Sequence, residues 1–310
     1  MPATATQTEV FFEQPDWLYR KAEGLSQSEA KEVLKSPRHW QARYGPEAVP
    51  PAPTPQMILG KLNHALLLEP ETVSETFARK SEVLTFTVAD LQKKLTDDGV
   101  EFKKSAKKAE LEALAFPDGP PVDNREKLSD NDFDKALGMA QALREHPVAS
   151  QWFDDSLDEF RRYNEVSIRA QHPSGAQIKG RLDRVHRADS RITIVDIKGL
   201  ADVSNRGFTR QLVDRGYDIQ AGWYTYLAEQ AWPGVPVEFV FACVESTAPF
   251  GVQLYRASQS VIDSGRKKMD QAITLFEQCK AVDHWPGYSP DVQDLAMPSW
   301  HVLDDLEALL

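Results

Sequence analysis

The spacing of apolar and polar positions predicts a mainly helical first part of the chain. Residues 25–44 have a helical pattern, within which Ser36-Pro37 marks the N-cap and first-turn proline of a further helix. The proline-rich stretch 46–55 cannot continue a helix. A strongly apolar helix is expected over residues 56–70, and Pro70 ends it.

Residues 81–117 have a different character. The capping-box pattern Thr87-x-x-Asp90 opens a helix that carries Leu91 and Leu95 one turn apart. An extended stretch follows, and then a second short helix with Leu111 and Leu114 expected on one face. The segment also contains a cluster of lysines: Lys93, Lys94, Lys103, Lys104, Lys107 and Lys108. Proline and glycine in the stretch 116–127 predict a linker after it.

From residue 129 onward the pattern predicts a compact α/β unit. The expected helices cover residues 130–145, 150–163, 204–214, 218–231 and 258–281. The expected strands cover residues 165–171, 177–187, 191–198, 237–245 and 252–257. Packed irregular structure is expected for Trp285-Pro286-Gly287-Tyr288 and for Pro298-Ser299-Trp300.

Composition narrows the function only partly. The net charge of −11 argues against a passive nucleic-acid coat, because phosphate binding relies on Lys and Arg. It does not exclude an enzyme with metal-binding carboxylates and a local basic groove. Cys243 and Cys279 have no metal-ligand spacing and cannot hold a four-cysteine cluster. The start of the sequence lacks a secretory pattern, and no apolar run is long enough to span a membrane, so a cytoplasmic location is expected.

Two acidic residues are predicted to meet across neighbouring strands. If Asp189-Ser190 forms a two-residue hairpin loop, Ala188 pairs with Arg191. The same register then places Asp183 opposite Asp196, with Cβ atoms about 4.5–5.5 Å apart. Lys198 follows Asp196 by two residues and so projects from the same face. Facing carboxylates repel each other, and a divalent cation between them would reverse that repulsion.

Two carboxylates suit hard cations that prefer oxygen ligands, so Mg²⁺ or Mn²⁺ is expected here. The backbone carbonyl of Ile197 can supply a further oxygen. Lys198 would orient or help deprotonate a metal-activated water, with its pKa depressed by the metal and by burial. The alternative is a solvent-facing Asp–Lys pair at a strand end, which is common. The register-matched Asp183 favours a site.

The motifs occur in an order that resembles a known nuclease family. A D…DxK core is preceded by GxxxH in an apolar helix and followed by GYxxQxxxY. The matching stretches are LSQSEAKEVLKSPRHW, GKLNHALLLEP, IKGRLDRV, IVDIKG, GYDIQAGWYTY, FACVES and WPGY. Together they resemble the RecE-like (exonuclease VIII) branch of the PD-(D/E)XK nuclease superfamily, of phage and prophage type.

The resemblance implies an α/β, restriction-endonuclease-like core with a central mixed sheet flanked by helices. It implies a helical part over residues 1–80, an insertion over 81–117 and the nuclease core over 118–310. It also implies Mg²⁺-dependent 5′-to-3′ degradation of one strand of duplex DNA by a ring-like homo-oligomer. A single-strand annealing protein of the RecT kind would be a suitable partner.

The resemblance also assigns residues. His64 corresponds to the histidine that joins the metal shell, Asp183 and Asp196 to the ligating carboxylates, and Lys198 to the catalytic lysine. Gln220 and Tyr224 correspond to the helix pair near the scissile phosphate, with Tyr217 just before them, whereas Glu165 receives no firm role. Each residue also has a purely structural interpretation. In that interpretation His64 is a core histidine, and Gln220 and Tyr224 form a packed helix face. Tyr217 then anchors the start of the helix, and Glu165 is a strand-edge charge. Function is favoured for His64 and Gln220, and both interpretations stay open for Tyr224.

The segment 81–117 resembles helix–extended loop–helix modules of the SAP and Rho N-terminal kind, which commonly contact nucleic acid. A solvated helical hairpin or a subunit contact remains an alternative, since acidic residues are interspersed with the lysines. Two other functions also stay open. One is a RecB-like or CRISPR-adaptation-like nuclease, which the missing cysteines and missing GxxxxGK[ST] loop disfavour. The other is a non-catalytic DNA-binding or assembly protein, which the intact Asp, Asp and Lys disfavour.

Overall fold

A mixed β-sheet forms the centre of the molecule. The computed structural model describes residues 8–12, 14–153, 161–188 and 190–297. The strands in these residues are β1 (Glu9–Phe11), β2 (Leu25–Ser26), β3 (Phe77–Arg79), β4 (Glu126–Leu128), β5 (Arg161–Gln171), β6 (Gln177–Ala188), β7 (Arg191–Leu200), β8 (Val237–Glu245) and β9 (Val252–Arg256). The main sheet has the order β1-β5-β6-β7-β8-β9, with β2 beside β6, and β7 runs parallel to β8. A small separate sheet pairs β3 with β4.

Helices cover both faces of this sheet. They are α1 (Asp16–Lys21), α2 (Gln27–Lys35), α3 (Pro37–Tyr44), α4 (Pro55–Leu68), α5 (Val73–Thr76), α6 (Val88–Asp97), α7 (Lys108–Ala115), α8 (Asp130–Glu145), α9 (Ser150–Phe153), α10 (Asn205–Asp214), α11 (Tyr217–Ala231) and α12 (Gln259–Val282). One face packs against α2, α11 and α12, and the other against α4 and α8. None of the helices in the described part of the chain has the length and hydrophobicity of a membrane-spanning segment.

Strand β7 is apolar on both faces because both faces are covered. Ile192 and Ile194 join the hydrophobic cluster under α11 and α12. Val195 and Ile197 join the cluster under α4 and α8. The predicted α/β core with a central mixed sheet is therefore confirmed, and a charged side chain at the end of β7 must be held by specific polar partners.

Most predicted elements are confirmed to within a few residues, with one clear exception. The helix expected over 150–163 is wrong: α9 ends at Phe153, residues 154–160 lie outside the described part, and the chain is in β5 from Arg161. There β5 pairs with β6 as far as Arg161↔Arg187. The long hairpin with β6 thus overrides the local helical pattern. In the tail, Trp285 stacks on Trp40 with ring centroids 4.4 Å apart, whereas Pro298-Ser299-Trp300 lies outside the described residues.

The segment 81–117 has a hydrophobic cluster of its own. The predicted capping box is confirmed, since Thr87 Oγ1 accepts from the Asp90 backbone and Asp90 Oδ2 accepts from the Thr87 backbone. The buried members of the cluster are Leu91, Leu95, Leu111 and Ala115. Leu111 and Leu114 were expected on one face of α7, but Leu111 is buried and Leu114 is 43% exposed. The buried positions of α7 are spaced four residues apart, at 111 and 115.

The inside–outside alternation shifts on β5 and β6 at one level of the sheet. Tyr163 and Val166 on β5 both contact the cluster under α11, although residues an odd number apart should face opposite ways. Leu182 and Val185 on β6 do the same. On β5, between Tyr163 and Val166, Glu165 adopts a left-handed backbone with φ +49°, which is strained for a non-glycine residue. This irregularity lies where Asp183 projects from β6.

Helices α11 and α12 approach closely through two glycines, Gly222 and Gly265. A Cβ added at Gly265 would lie 1.9 Å from the carbonyl oxygen of Asp218 on α11. A Cβ added at Gly222 would lie 2.6 Å from the backbone of α12. The position of α11 against the sheet therefore depends on the absence of side chains at this crossing.

Replacing Gly265 with alanine should force the two helices apart and lower the free energy of unfolding by about 1–3 kcal/mol. Gly60→Ala is the matched control, because Gly60 is also helical but an added Cβ has no neighbour within 4 Å. The control should be neutral or stabilising by up to about 1 kcal/mol. Urea unfolding of both variants measures the difference, and equal midpoints would refute the close-packing argument.

Candidate metal and phosphate site

The pairing register of β6 against β7 is as predicted over the part of the hairpin that precedes Asp183 and Asp196. Ala188 pairs with Arg191, and the ladder continues in that register to Arg184 and Val195. It ends there, so the predicted direct pairing of Asp183 with Asp196 is not part of the ladder. Instead, Asp183 Oδ2 accepts a hydrogen bond of 3.1 Å from the backbone N–H of Ile197. The two strands separate at this level, and the Asp183 carboxylate lies against the backbone of β7.

Asp196 is held at the covered end of β7, where its side chain is 1% exposed. Gln220 Nε2 donates to Asp196 Oδ1 at 2.5 Å. Lys198 Nζ lies 2.5 Å from Asp196 Oδ2. Burial raises the pKa of Asp196 to about 6 against the opposing Lys198 ammonium, and the nearby Asp183 charge adds to the rise. The two acids therefore interact electrostatically, as expected for groups that share one site.

Lys198 and Gln220 form a hydrogen-bonded unit with Asp196. Lys198 Nζ donates to Gln220 Oε1 at 3.1 Å, while the amide nitrogen of the same glutamine binds Asp196. Only a side chain with both a donor and an acceptor can hold a carboxylate and an ammonium in this way. The pKa of Lys198 was expected to be depressed, but the surrounding groups of this chain raise it. Burial alone would lower this pKa, but the Asp196 and Asp183 carboxylates outweigh it and the net direction is upward.

His64 reaches the same point from α4. Its Nδ1 lies 3.6 Å from Asp183 Oδ2, and its Nε2 lies 3.3 Å from the carbonyl oxygen of Ile197. The histidine, the carboxylate and the carbonyl that the sequence singled out thus lie together. A histidine confined to the apolar core would not contact these two oxygens.

Glu165 is the residue that the sequence analysis left without a role. One ligand atom each from His64, Glu165 and Asp183 lies within 4.8 Å of the others, which is close enough for one cation to contact all three. Burial, and then the Asp183 charge, raise the pKa of Glu165 to about 7, while Arg181 at 2.6 Å opposes the rise. The left-handed backbone at Glu165 is the strained feature that brings this carboxylate to the cluster, and no sequence pattern marks it.

Tyr217 and Tyr224 differ in position. The ring of Tyr217 lies beside the site, with Lys198 Nζ 4.7 Å from its centroid. Tyr224 is 5% exposed within the hydrophobic cluster under α11, and it would be 3.1 Å from a Cβ added at Gly180. Burial raises the pKa of Tyr224 well above its ordinary value. The described contacts of Tyr224 are thus those of a core residue beneath the site.

The fold and site together define an α/β domain of the PD-(D/E)XK type. A family model described as a PDDEXK-like domain of unknown function (DUF3799) matches residues 26–295. The chain belongs to this family.

One solved structure supports the fold. A crystal structure from Eubacterium rectale, of a protein that carries the provisional name exonuclease, aligns with a TM-score of 0.53 at 13% identity. The alignment covers 97% of this chain and 100% of the other. The protein VC1899 from Vibrio cholerae aligns with a TM-score of 0.23 at 11% identity, over 89% of this chain and 58% of the other, which is too weak to carry an argument. A comparison with curated proteins finds no match.

A cation that binds at this cluster should lose affinity when Glu165 loses its charge. We expect Glu165→Gln to weaken Mn²⁺ binding about tenfold or more, measured by isothermal titration calorimetry. Glu238→Gln is the matched control, because Glu238 is also a half-buried strand carboxylate and also lies 2.6 Å from an arginine. Equal Mn²⁺ affinities for the two variants would remove Glu165 from the metal site.

Proposed function

We propose that the protein is a Mg²⁺-dependent exodeoxyribonuclease that hydrolyses phosphodiester bonds from the ends of linear double-stranded DNA. The observation that carries the proposal is that Asp183 binds the backbone N–H of Ile197, the residue between Asp196 and Lys198, where the β6–β7 ladder ends. Membership of a PDDEXK-like family supports the same chemistry. Mn²⁺ would be an alternative to Mg²⁺ at a site of this composition.

The residues present fit a divalent cation. Asp196 Oδ2 accepts no hydrogen bond of normal geometry from the described residues, although Lys198 Nζ is close to it. This oxygen, held by the ion pair with Lys198, keeps accepting capacity that a cation can use. Asp183, Asp196, His64 and the carbonyl of Ile197 would hold the cation, with Glu165 beside them. Oxygen ligands with one histidine suit Mg²⁺ or Mn²⁺ better than a thiophilic metal.

The reaction then needs an activated water and a fixed phosphate. When bound, Mg²⁺ lowers the pKa of a coordinated water and offsets the charge of the scissile phosphate. Lys198 orients the attacking water or helps to remove its proton. Gln220 keeps the Lys198 ammonium and the Asp196 carboxylate in fixed positions. Tyr224 packs the same helix, α11, against the sheet. We therefore assign it an indirect role, in which it holds Gln220 in place near the phosphate.

The finer features of the proposal rest on the resemblance to the RecE-like branch. It supports 5′-to-3′ degradation, a ring-like homo-oligomer that surrounds DNA, and a role in phage-type recombination. The exposed single strand would then suit an annealing protein of the RecT kind. A RecB-like or CRISPR-adaptation-like nuclease, or a non-catalytic DNA-binding protein, would be the alternative.

The segment 81–117 is proposed to be an inserted module between the helical residues 1–80 and the core residues 118–310. Its lysines are partly neutralised, since Lys94 pairs with Asp98 and Lys108 lies 3.5 Å from Glu112. Lys93, Lys103 and Lys104 are exposed and would supply phosphate contacts that weaken with salt.

The proposed activity predicts that the purified protein releases nucleotides from end-labelled linear duplex DNA only when Mg²⁺ is present. Covalently closed circular DNA should stay intact, because an exonuclease needs an end. Gel analysis of both substrates, with Mg²⁺ and with EDTA, measures this. Binding of linear DNA without nucleotide release would favour the non-catalytic alternative, and cleavage of closed circles would favour an endonuclease.

Two substitutions test the roles within the site. Asp196→Ala should reduce degradation to background, because it removes a buried ligand. Lys198→Met should lower kcat by about 10²–10⁴-fold, the usual range for a group that assists proton transfer. Asp134→Asn, at an exposed position on α8, is the control and should leave kcat unchanged. A Lys198→Met enzyme with normal kcat would exclude the assigned role of Lys198.

A further inference from the structure

A second lysine, Lys31 on α2, lies beside the site and has no anionic partner among the residues that the structure describes. Its Nζ is 5.6 Å from the centroid of the Tyr217 ring, and Lys198 Nζ is 4.7 Å from the same centroid. A Cβ added at Gly216, just before α11, would also lie 3.5 Å from the Lys31 side chain. The start of α11 therefore brings together two ammonium groups around one aromatic ring.

The carboxylates nearest to Lys31 are already engaged by other groups. Asp218 Oδ2 accepts from Ser264 Oγ at 2.7 Å and from Lys268 Nζ at 2.6 Å. Asp196 is bound by Gln220 and Lys198. Among the described residues, no carboxylate lies within ion-pair distance of Lys31 Nζ, and no acceptor forms a hydrogen bond with it.

Such an arrangement is costly for the protein alone. Burial and the Lys198 charge lower the pKa of Lys31 to about 8, against the weaker opposing effects of Asp196 and Asp218. A half-buried cation without an ion pair raises the free energy of the folded state. The cation–π contact with Tyr217 offsets about 1 kcal/mol of such a cost. An anionic group of the substrate would supply the ion-pair partner of Lys31.

We propose that Lys31 is a phosphate-binding residue, whose ammonium group contacts a non-bridging oxygen of a DNA phosphate beside Lys198. This inference rests on the proposed nuclease function and adds a residue to which the sequence analysis assigned no role. Tyr217 acts as the positioning residue, because its ring lies next to both ammonium groups. Lys198 acts on the attacking water beside the carboxylates, and Lys31 anchors the DNA strand next to it. The contact is made with bound DNA before hydrolysis, so it affects binding more than the chemical step.

The test uses Lys31→Met, Lys31→Arg and the matched control Lys35→Met, which removes an exposed lysine one turn further along the same helix. The dissociation constant of a fluorescent linear duplex is measured by anisotropy in EDTA, where no hydrolysis takes place. KM and kcat are then measured with Mg²⁺. Lys31→Met should raise both the dissociation constant and KM about tenfold, the effect of one charge-assisted hydrogen bond, with a much smaller change in kcat.

Lys31→Arg should restore most of the binding, because it keeps the cation, and Lys35→Met should behave like the wild type. Thermal unfolding of each variant checks that the fold is intact. Equal dissociation constants for Lys31→Met and Lys35→Met would overturn the assignment of Lys31, even if the wild type degrades DNA. A wild type that binds DNA but never degrades it would instead contradict the proposed nuclease function, while the binding measurements would still test Lys31.

Discussion

The arrangement of the candidate site follows from one constraint: the carboxylate of Asp196 is buried at the covered end of a central strand. Placing this group away from water costs several kcal/mol unless charged or hydrogen-bonding partners compensate. Lys198 and Gln220 supply part of that compensation, and Asp183 on the neighbouring strand adds a repulsive charge. A divalent cation between the acids would convert the repulsion into attraction.

The rest of the fold holds this group of side chains in position. Helix α11 carries Gln220 and Tyr217, and its close contact with α12 at Gly222 and Gly265 fixes its position. Helix α4 brings His64 to Asp183 and to the carbonyl of Ile197 from the opposite face of the sheet. The strained backbone at Glu165 brings a further carboxylate to the same point. The site is therefore assembled from both helical layers, around a strand that is apolar elsewhere.

Much of this arrangement could be predicted from the sequence, because it depends on local patterns. The turn residues fixed the register of β6 against β7, and the D…DxK spacing singled out Asp196 and Lys198. The departure of Asp183 from the ladder could not be foreseen, since it arises from the irregularity on β5 and β6 that places Glu165 in a left-handed conformation. The proposed role of Lys31 could not be predicted either, because its lack of an ion pair with the described residues is a property of the tertiary packing. The same is true of residues 161–163, where pairing with β6 overrides a helical pattern.

The proposed chemistry requires that Asp183 and Asp196 bind the same divalent cation at the separated ends of β6 and β7. Anomalous diffraction from crystals soaked in Mn²⁺ tests this shared site most directly. We expect one strong peak within about 2.5 Å of a carboxylate oxygen of each acid and of the Ile197 carbonyl oxygen. A peak that contacts only one of the two acids, or the absence of any peak at these residues, would contradict it.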